Sequence, residues 1–290
     1  MPILLHKLKA SSFCLTWRNR LLLILVLLGC CALNPVSVRA WGPEGHLQVA
    51  EVALKLVDAQ AALRLNELLD SSDMAAVDEA CNWPDVIRKT PEWEWSAPQH
   101  FVNIPRNASR YERERDCPDG LCVTEAIKKY AGQLADSRLD HMVRREAFAW
   151  LCHLVADLHQ PLHAGYLDDR GANYVQISYK GEQDNLHQFW DRVLIRERFM
   201  DPRDWQKRHA EKLASPVGHT WNPSETDDWA SESHELVKKA SYPPGKIISP
   251  DFADRSWVII QQQWIKAGRR LARILNATLG TGEVLMDKEP

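Results

Sequence analysis

The stretch FAWLCHLVADLH, residues 148–159, is apolar almost all the way round a helix. A helix with that profile belongs in the interior of a fold rather than on its surface. It is the C-terminal half of a longer helical pattern, 140–159, which Pro161 ends because proline has no N–H to donate. Within it His153 and Asp157 are four residues apart, on one face with Cβ atoms roughly 5–6 Å apart. Their neighbours Trp150, Leu151, Leu154, Val155 and Leu158 are apolar, and a carboxylate among them is costly to bury unless it is paired or bound to a cation.

Outward from this helix the chain stays helical. Residues 46–69 place apolar side chains at three- and four-residue steps, and 186–199, 224–239 and 252–276 read the same way. Only NYVQISYK, 173–180, alternates like a strand, fit for a small hairpin or a ladder edge. Proline-rich loops are expected at 84–105 and 241–250. The 290 residues are 45% hydrophobic and 26% charged, which excludes disordered, collagenous and low-complexity classes. No repeat and no shift in composition marks a second domain. The expectation is one all-α domain over 41–290 with at most a small β-hairpin.

Residues 1–40 read differently. Lys7, Lys9, Arg18 and Arg20 precede the apolar run LLLILVLLGCCAL, 21–33, and Val38 and Ala40 take the small-residue positions before a cut at Trp41. That is the pattern of a secretory signal peptide, with a core too short to span a bilayer comfortably. A second cut, of the lipoprotein type, is offered by Leu27-Leu28-Gly29-Cys30, although leucine fits poorly before the glycine. Cleavage between Ala40 and Trp41 sends the product outside the cell or to a periplasm. It removes five basic residues and no acid, so 31 Lys+Arg face 39 Asp+Glu and the formal charge moves from −3 to −8. Cys81, Cys117, Cys122 and Cys152 remain, enough for two disulfides in any of three pairings.

One His/Asp pair in a core is usually a satisfied hydrogen bond. Here the arrangement recurs. His187-x-x-x-Asp191 lies among Leu186, Phe189 and Trp190, and His163 sits just past the break at Pro161. Two such pairs on separate helices and a further histidine exceed what packing explains. Neutral imidazoles with carboxylate oxygens suit zinc, and the lack of thiols in these motifs argues against a zinc-finger site.

HLVADLHQPLHAG (153–165) followed by NLHQFWD (185–191) resembles the S1/P1 nuclease family, the zinc-dependent nucleases. Upstream, WGPEGH (41–46) is similar to that family's mature amino terminus, NWPDVIR (82–88) to its Trp-x-Asp segment, and HFVN (100–103) to its His-aromatic segment. The resemblance implies three zinc ions in a cleft of a mainly helical fold of the phospholipase C/P1 nuclease type. One ion would take Asp85, His100, His153 and Asp157, and a second His163, His187 and Asp191. The third would take His46, Asp157 and Trp41, the last through its α-amine and carbonyl. A free α-amine has a pKa of about 7.7–8.0, so a metal can displace its proton near neutral pH, and the cut before Trp41 would complete the site.

The activity implied is hydrolysis of phosphodiester bonds in single-stranded RNA and DNA to 5′-mononucleotides, with 3′-nucleotides as further substrates. A zinc-bound water would attack phosphorus, and Asp85 and Asp157 would hold the ions that activate it. Arg88 would steady charge on the phosphoryl oxygens. Phe101 is a candidate surface for stacking a base. Asn103 stands where some members carry aspartate, and Asn173 follows Gly171-Ala172, where the family commonly has two glycines. The resemblance further pairs Cys117 with Cys122, and it sets Cys81 and Cys152 beside ligands of one zinc, near enough to bond. A monomer with no stable protein partner is the expectation.

The remaining histidines His141, His209, His219 and His234 read as surface residues, and His159 is left outside the ligand set. The eleven tryptophans past residue 40 read as core and loop filling. Asn107 and Asn276 begin glycosylation sequons. Two rival functions share the ligand chemistry: a zinc-dependent phospholipase C, and a secreted zinc-binding protein without turnover.

Overall fold

The computed structural model describes residues 41–280, and the expected signal peptide with its cut lies outside the described residues. Helix α1, Pro43–Leu56, opens with proline in its first turn, where a missing N–H breaks no helical bond. Asp58 then divides the helix expected over 46–69. Its side chain accepts the Ala61 N–H to start α2, Ala59–Leu69, and its own N–H donates to Asn276 Oδ1 at 2.9 Å. An N-cap of this kind is worth about 1 kcal/mol, and the tie to Asn276 adds to it. Asn276 is itself buried, so its sequon is not open to modification.

Helix α3, Met74–Ile87, carries Pro84 in its last turn, so the loop expected from residue 84 begins later. The Arg88 N–H still reaches the Pro84 carbonyl, at 3.2 Å. A 3₁₀ segment, Glu94–His100, follows. Helix α4, Val123–Ala135, turns Val123, Ile127, Tyr130, Ala131 and Leu134 inward at helical steps. Asp140 caps α5, His141–His159, by accepting the Met142 N–H. From Ala147 to His159 every residue of α5 is buried, as its all-round apolar sequence requires.

The strand pattern at 173–180 resolves into a hairpin, β1 Gln176–Tyr179 against antiparallel β2 Glu182–Asn185. Lys180 and Gly181 at its tip both have positive φ, the turn that matches strand twist. The outer edge of β1 is covered too: the Ser178 N–H donates to Lys246 O and the Ile248 N–H to Ser178 O. Residues 186–198 then form α6, interrupted by a π turn at Phe189–Val193. Helix α7, Glu225–Leu236, also ends in a π turn, Val237–Ser241. Ser249 caps the long α8, Pro250–Leu279.

Helix α5 lies against α3, α4 and α8, and α8 runs along α1. Gly268 permits that last contact, because a Cβ there would stand 2.3 Å from Val52 Cγ1. The fold is all-α apart from one small hairpin.

Candidate metal centre

The π turn and the helix breaks bring side chains from α1, α3, α5 and α6 to one place. Asp157, fully buried on α5, stands at its middle. Its Oδ1 is 3.2 Å from His46 Nε2 of α1. Its Oδ2 is 3.0 Å from His100 Nδ1, 3.2 Å from His153 Nε2 and 3.9 Å from His163 Nδ1. Asp85, at the end of α3, places Oδ1 3.7 Å from His153 Nε2 and 4.0 Å from His100 Nδ1. Beyond the break, His187 Nε2 is 3.1 Å from Asp191 Oδ2 and His163 Nε2 is 3.8 Å from Asp191 Oδ1. Three groups result: His46, His153 and Asp157; Asp85, His100 and His153; His163, His187 and Asp191. His153 thus belongs to two of them.

The far sides of the rings fix their orientation. Nδ1 of His153 donates to the Cys81 carbonyl at 2.8 Å, that of His163 to the His100 carbonyl at 2.7 Å, and that of His187 to the Gly171 carbonyl at 2.6 Å. A carbonyl only accepts, so Nδ1 carries a proton and each ring turns Nε2 toward the carboxylates, as a lone pair wherever the ring is neutral. A lone pair facing a carboxylate calls for a cation between them. Among the described residues His163 Nε2 is buried without a hydrogen-bond partner, and the close approaches of His187 Nε2 to Asp191 Oδ2 and of Arg88 to Asp85 Oδ1 lack hydrogen-bond geometry.

Burial draws the His100 imidazole down to about 4 and lowers His163 as well, so both are neutral donors at pH 7. Burial also opposes charge on His153 and His187, but the adjacent Asp157 and Asp191 raise both. Against its own burial Asp157 is held well below the carboxylate range by His153 and His163, and Asp85 is lowered by His153 and Arg88. Two buried acids kept ionised among imidazoles form a cradle for positive charge, and the donor set fits divalent metal ions.

Arg88, 7% exposed, places Nη2 2.9 Å from Asp85 Oδ1. Phe101 is half-buried and stands outside the hydrophobic core, on the chain just after His100, and Asn103 is half-buried beyond it. Asn173 donates to the Arg170 carbonyl and leaves its Oδ1 buried without a partner. Trp41 is buried edge-on against Trp264, and the Gly42 N–H donates to the Asp191 carbonyl at 2.8 Å, which ties this segment to α6.

Both expected disulfides form, Cys81–Cys152 and Cys117–Cys122. The first joins α3 to α5 beside His153. His159 is saturated, since Nδ1 donates to the Val155 carbonyl and Nε2 accepts from Arg270. His234 is a correction: it is buried on α7, donating to the Ala164 carbonyl, because that face of the helix packs on the 161–164 turn.

Two supporting residues had no periodic signal. Gln160 reaches Asp191 Oδ1 at 2.6 Å while its own Oε1 accepts the Leu162 N–H. Asp169 accepts from the Ala172 N–H, Tyr242 Oη and Arg106. It thereby holds Arg170, Gly171 and Ala172 in the left-handed region, at φ 54°, 62° and 65°. At Gly171 a Cβ would meet the Leu162 carbonyl at 2.4 Å, whereas Ala172 takes the same conformation with its methyl buried. The turn is built so that the Gly171 carbonyl meets His187.

A model of the S1/P1 Nuclease family matches residues 41–280, the whole span that carries these groups. The chain belongs to the S1/P1 nuclease family. It is 31% identical to Endonuclease 1 of Arabidopsis thaliana over 89% of this chain and 92% of that one. It is 30% identical to Nuclease P1 of Penicillium citrinum, over 83% and 98%, and 25% identical to Nuclease S1 of Aspergillus oryzae, over 81% and 91%. Membership of this family makes the protein a hydrolase of phosphodiester bonds, which sets the inert zinc-binder aside, and the nuclease relatives favour a nuclease over the phospholipase.

Proposed function

We propose that the protein is a secreted or periplasmic zinc-dependent endonuclease. It would act, as a monomer of residues 41–290 released by a cut between Ala40 and Trp41, on single-stranded RNA and DNA. Its products would be 5′-mononucleotides, and 3′-nucleotides would be further substrates. The observation that carries this reading is the division of labour at Asp157, whose Oδ1 faces His46 while its Oδ2 faces His100 and His153. A carboxylate that splits its oxygens between two nitrogen groups is suited to bridge two ions.

Tetrahedral zinc with bonds of about 2.0–2.1 Å sets its ligands about 3.3–3.4 Å apart. The separations at Asp157 and Asp191, 3.0 to 3.9 Å, bracket that value. Three zinc ions would be held by Asp85, His100, His153 and Asp157; by His163, His187 and Asp191; and by His46, Asp157 and the terminal amine and carbonyl of Trp41. Bound there, zinc supplies Lewis acidity that acidifies water and polarises phosphoryl oxygens.

The chain's own residues do the rest. Arg88, paired with Asp85, would offer its remaining N–H groups to a phosphoryl oxygen. Phe101 presents its face to a base, and Asn103 and Asn173 offer amides to base edges or phosphate. The two disulfides accord with an oxidising compartment.

The test is release of acid-soluble nucleotides from single-stranded RNA and DNA by protein whose first residue is verified as Trp41, with and without a zinc chelator. Release of 5′-phosphorylated nucleotides that the chelator abolishes and zinc restores is the expected result. No release from a zinc-loaded sample would overturn the reading.

A further inference from the structure

Eleven tryptophans follow residue 40, and most of them fill the interior. Trp95 does not. It is 49% exposed, the one tryptophan among the described residues that stands open to solvent. Its inner face is covered: Trp93 stacks on it with ring centres 5.7 Å apart and planes 25° apart. Trp93 packs at 6.0 Å on Trp150, and Trp150 at 5.7 Å on His100. Trp83 braces both Trp93 and Trp150 edge-on. The outermost indole is therefore the last step of a ladder that begins at a residue of the metal centre.

The backbone holds it there. Trp95 and His100 lie on the same 3₁₀ segment, and Ser96 clamps its start by donating from both N–H and Oγ to the Trp93 carbonyl. Lys129 of α4 reaches over the open ring, with Nζ 5.8 Å from its centre and 4.8 Å from that of Tyr130, on a flexible stem that can move aside. Lys129 is exposed and, among the described residues, pairs with no carboxylate within 4.0 Å, although Glu146 of α5 is near enough to feel its charge. Glu92 and Glu94, exposed and close by in sequence, would repel a phosphate, whereas Lys129 would attract one.

We infer that Trp95 and Lys129 form a base-stacking subsite for single-stranded nucleic acid, a few nucleotides from the reacting phosphate. The indole takes the face of an unpaired base and Lys129 the adjoining phosphate. Every base offers a π-face, so the subsite is indifferent to sequence, whereas bases in a duplex have their faces covered by their neighbours. The inference rests on the nuclease reading and extends it to binding beyond the nucleotides at the metals.

The test uses the zinc-loaded protein, its Trp95→Ala, Trp95→Phe and Lys129→Gln variants, and two substrates. One is an oligothymidylate of about twelve nucleotides, within the range that such platforms cover; the other is a dinucleoside monophosphate too short to reach Trp95. For Trp95→Ala, KM on the oligonucleotide should rise about 5- to 50-fold, the loss expected of one base–indole stack, with kcat unchanged. Kinetics on the dinucleotide should not change, Trp95→Phe should recover most of the loss, and Lys129→Gln should show a smaller rise on the long substrate. An unchanged KM, or an equal loss on both substrates that phenylalanine does not rescue, overturns the subsite. Equilibrium binding of a fluorescent phosphorothioate oligothymidylate, measured by anisotropy, keeps the inference separate from the nuclease reading. If the wild type cleaves neither substrate, that reading falls, and the subsite then stands or falls on whether Trp95→Ala weakens this binding.

Discussion

Asp157 gathers four imidazoles within 3.9 Å, with no lysine or arginine paired to it among the described residues. The centre therefore depends on its charge and on both of its oxygens. In Asp157→Asn an uncharged amide puts an NH2 group where one oxygen stood, and the two groups that share it should lose their ions. His163, His187 and Asp191 make their own set and should keep theirs. Elemental analysis of the purified variant should thus find one zinc per chain in place of three, with hydrolysis down by about a thousand-fold or more. A variant that retained three ions would refute the bridging role. The legibility of these residues was uneven. His153 with Asp157, and His187 with Asp191, declare themselves by helical spacing among apolar neighbours. His46, Asp85 and His100 have no such pattern and could be read only through the resemblance of their short segments. Asp169 could not be read at all, because its work is to stabilise three left-handed residues of which only one is glycine.

At the scale of elements, the joints of the fold were harder to read than its helices. One helix over 46–69 became two because Asp58 found both an amide to cap and a partner 218 residues away. Helix α3 was obscured by Pro84, whose cost in a last turn is a single bond. The Cys81–Cys152 disulfide pins α3 to α5, and Cys117–Cys122 closes only a short loop. Chain entropy separates them: a closed loop with a separation of 71 is worth about 4 kcal/mol, and one with a separation of 5 about 2 kcal/mol. Urea unfolding of the Cys81→Ala/Cys152→Ala and Cys117→Ala/Cys122→Ala variants should show losses in that order. Helix α7 supplies a pH dependence. Burial holds the His234 imidazole below its ordinary value, with Lys238 adding to the effect and its bond to the Ala164 carbonyl and the more distant Asp116 opposing it. The unfolded chain takes up a proton there below pH of about 6.5 while the folded one does not, so stability falls as pH drops through that value. Between pH 7.5 and 5.5, urea unfolding of the wild type should lose up to about 1.4 kcal/mol per pH unit more than His234→Gln. Equal slopes would show that His234 titrates alike in both states.

At the scale of the whole molecule, charge sets how the enzyme meets a polyanion. Residues 41–290 carry a formal −8, and three zinc ions would add six positive charges, all of them at the metal centre. On this reading a strand approaching the protein would be repelled at long range and attracted only close to the metal centre, Arg88 and Lys129. Salt then has two opposing effects. It weakens the few phosphate contacts, at about 0.7 of a logarithmic unit per contact for a single strand, and it screens the repulsion that hinders approach. Proteins that neutralise many duplex phosphates show slopes of about −6 or steeper. Here a plot of log kcat/KM against log salt on single-stranded DNA, at constant free zinc, should be shallower than about −2. Reversing the field without touching the centre, by changing exposed acids such as Glu211 and Asp228 to lysine, should raise kcat/KM at low salt and leave it unchanged at high salt. A steep slope in the wild type would mean that a basic surface elsewhere carries the strand, and that capture by metal and stacking is the wrong account of how this protein selects unpaired chains.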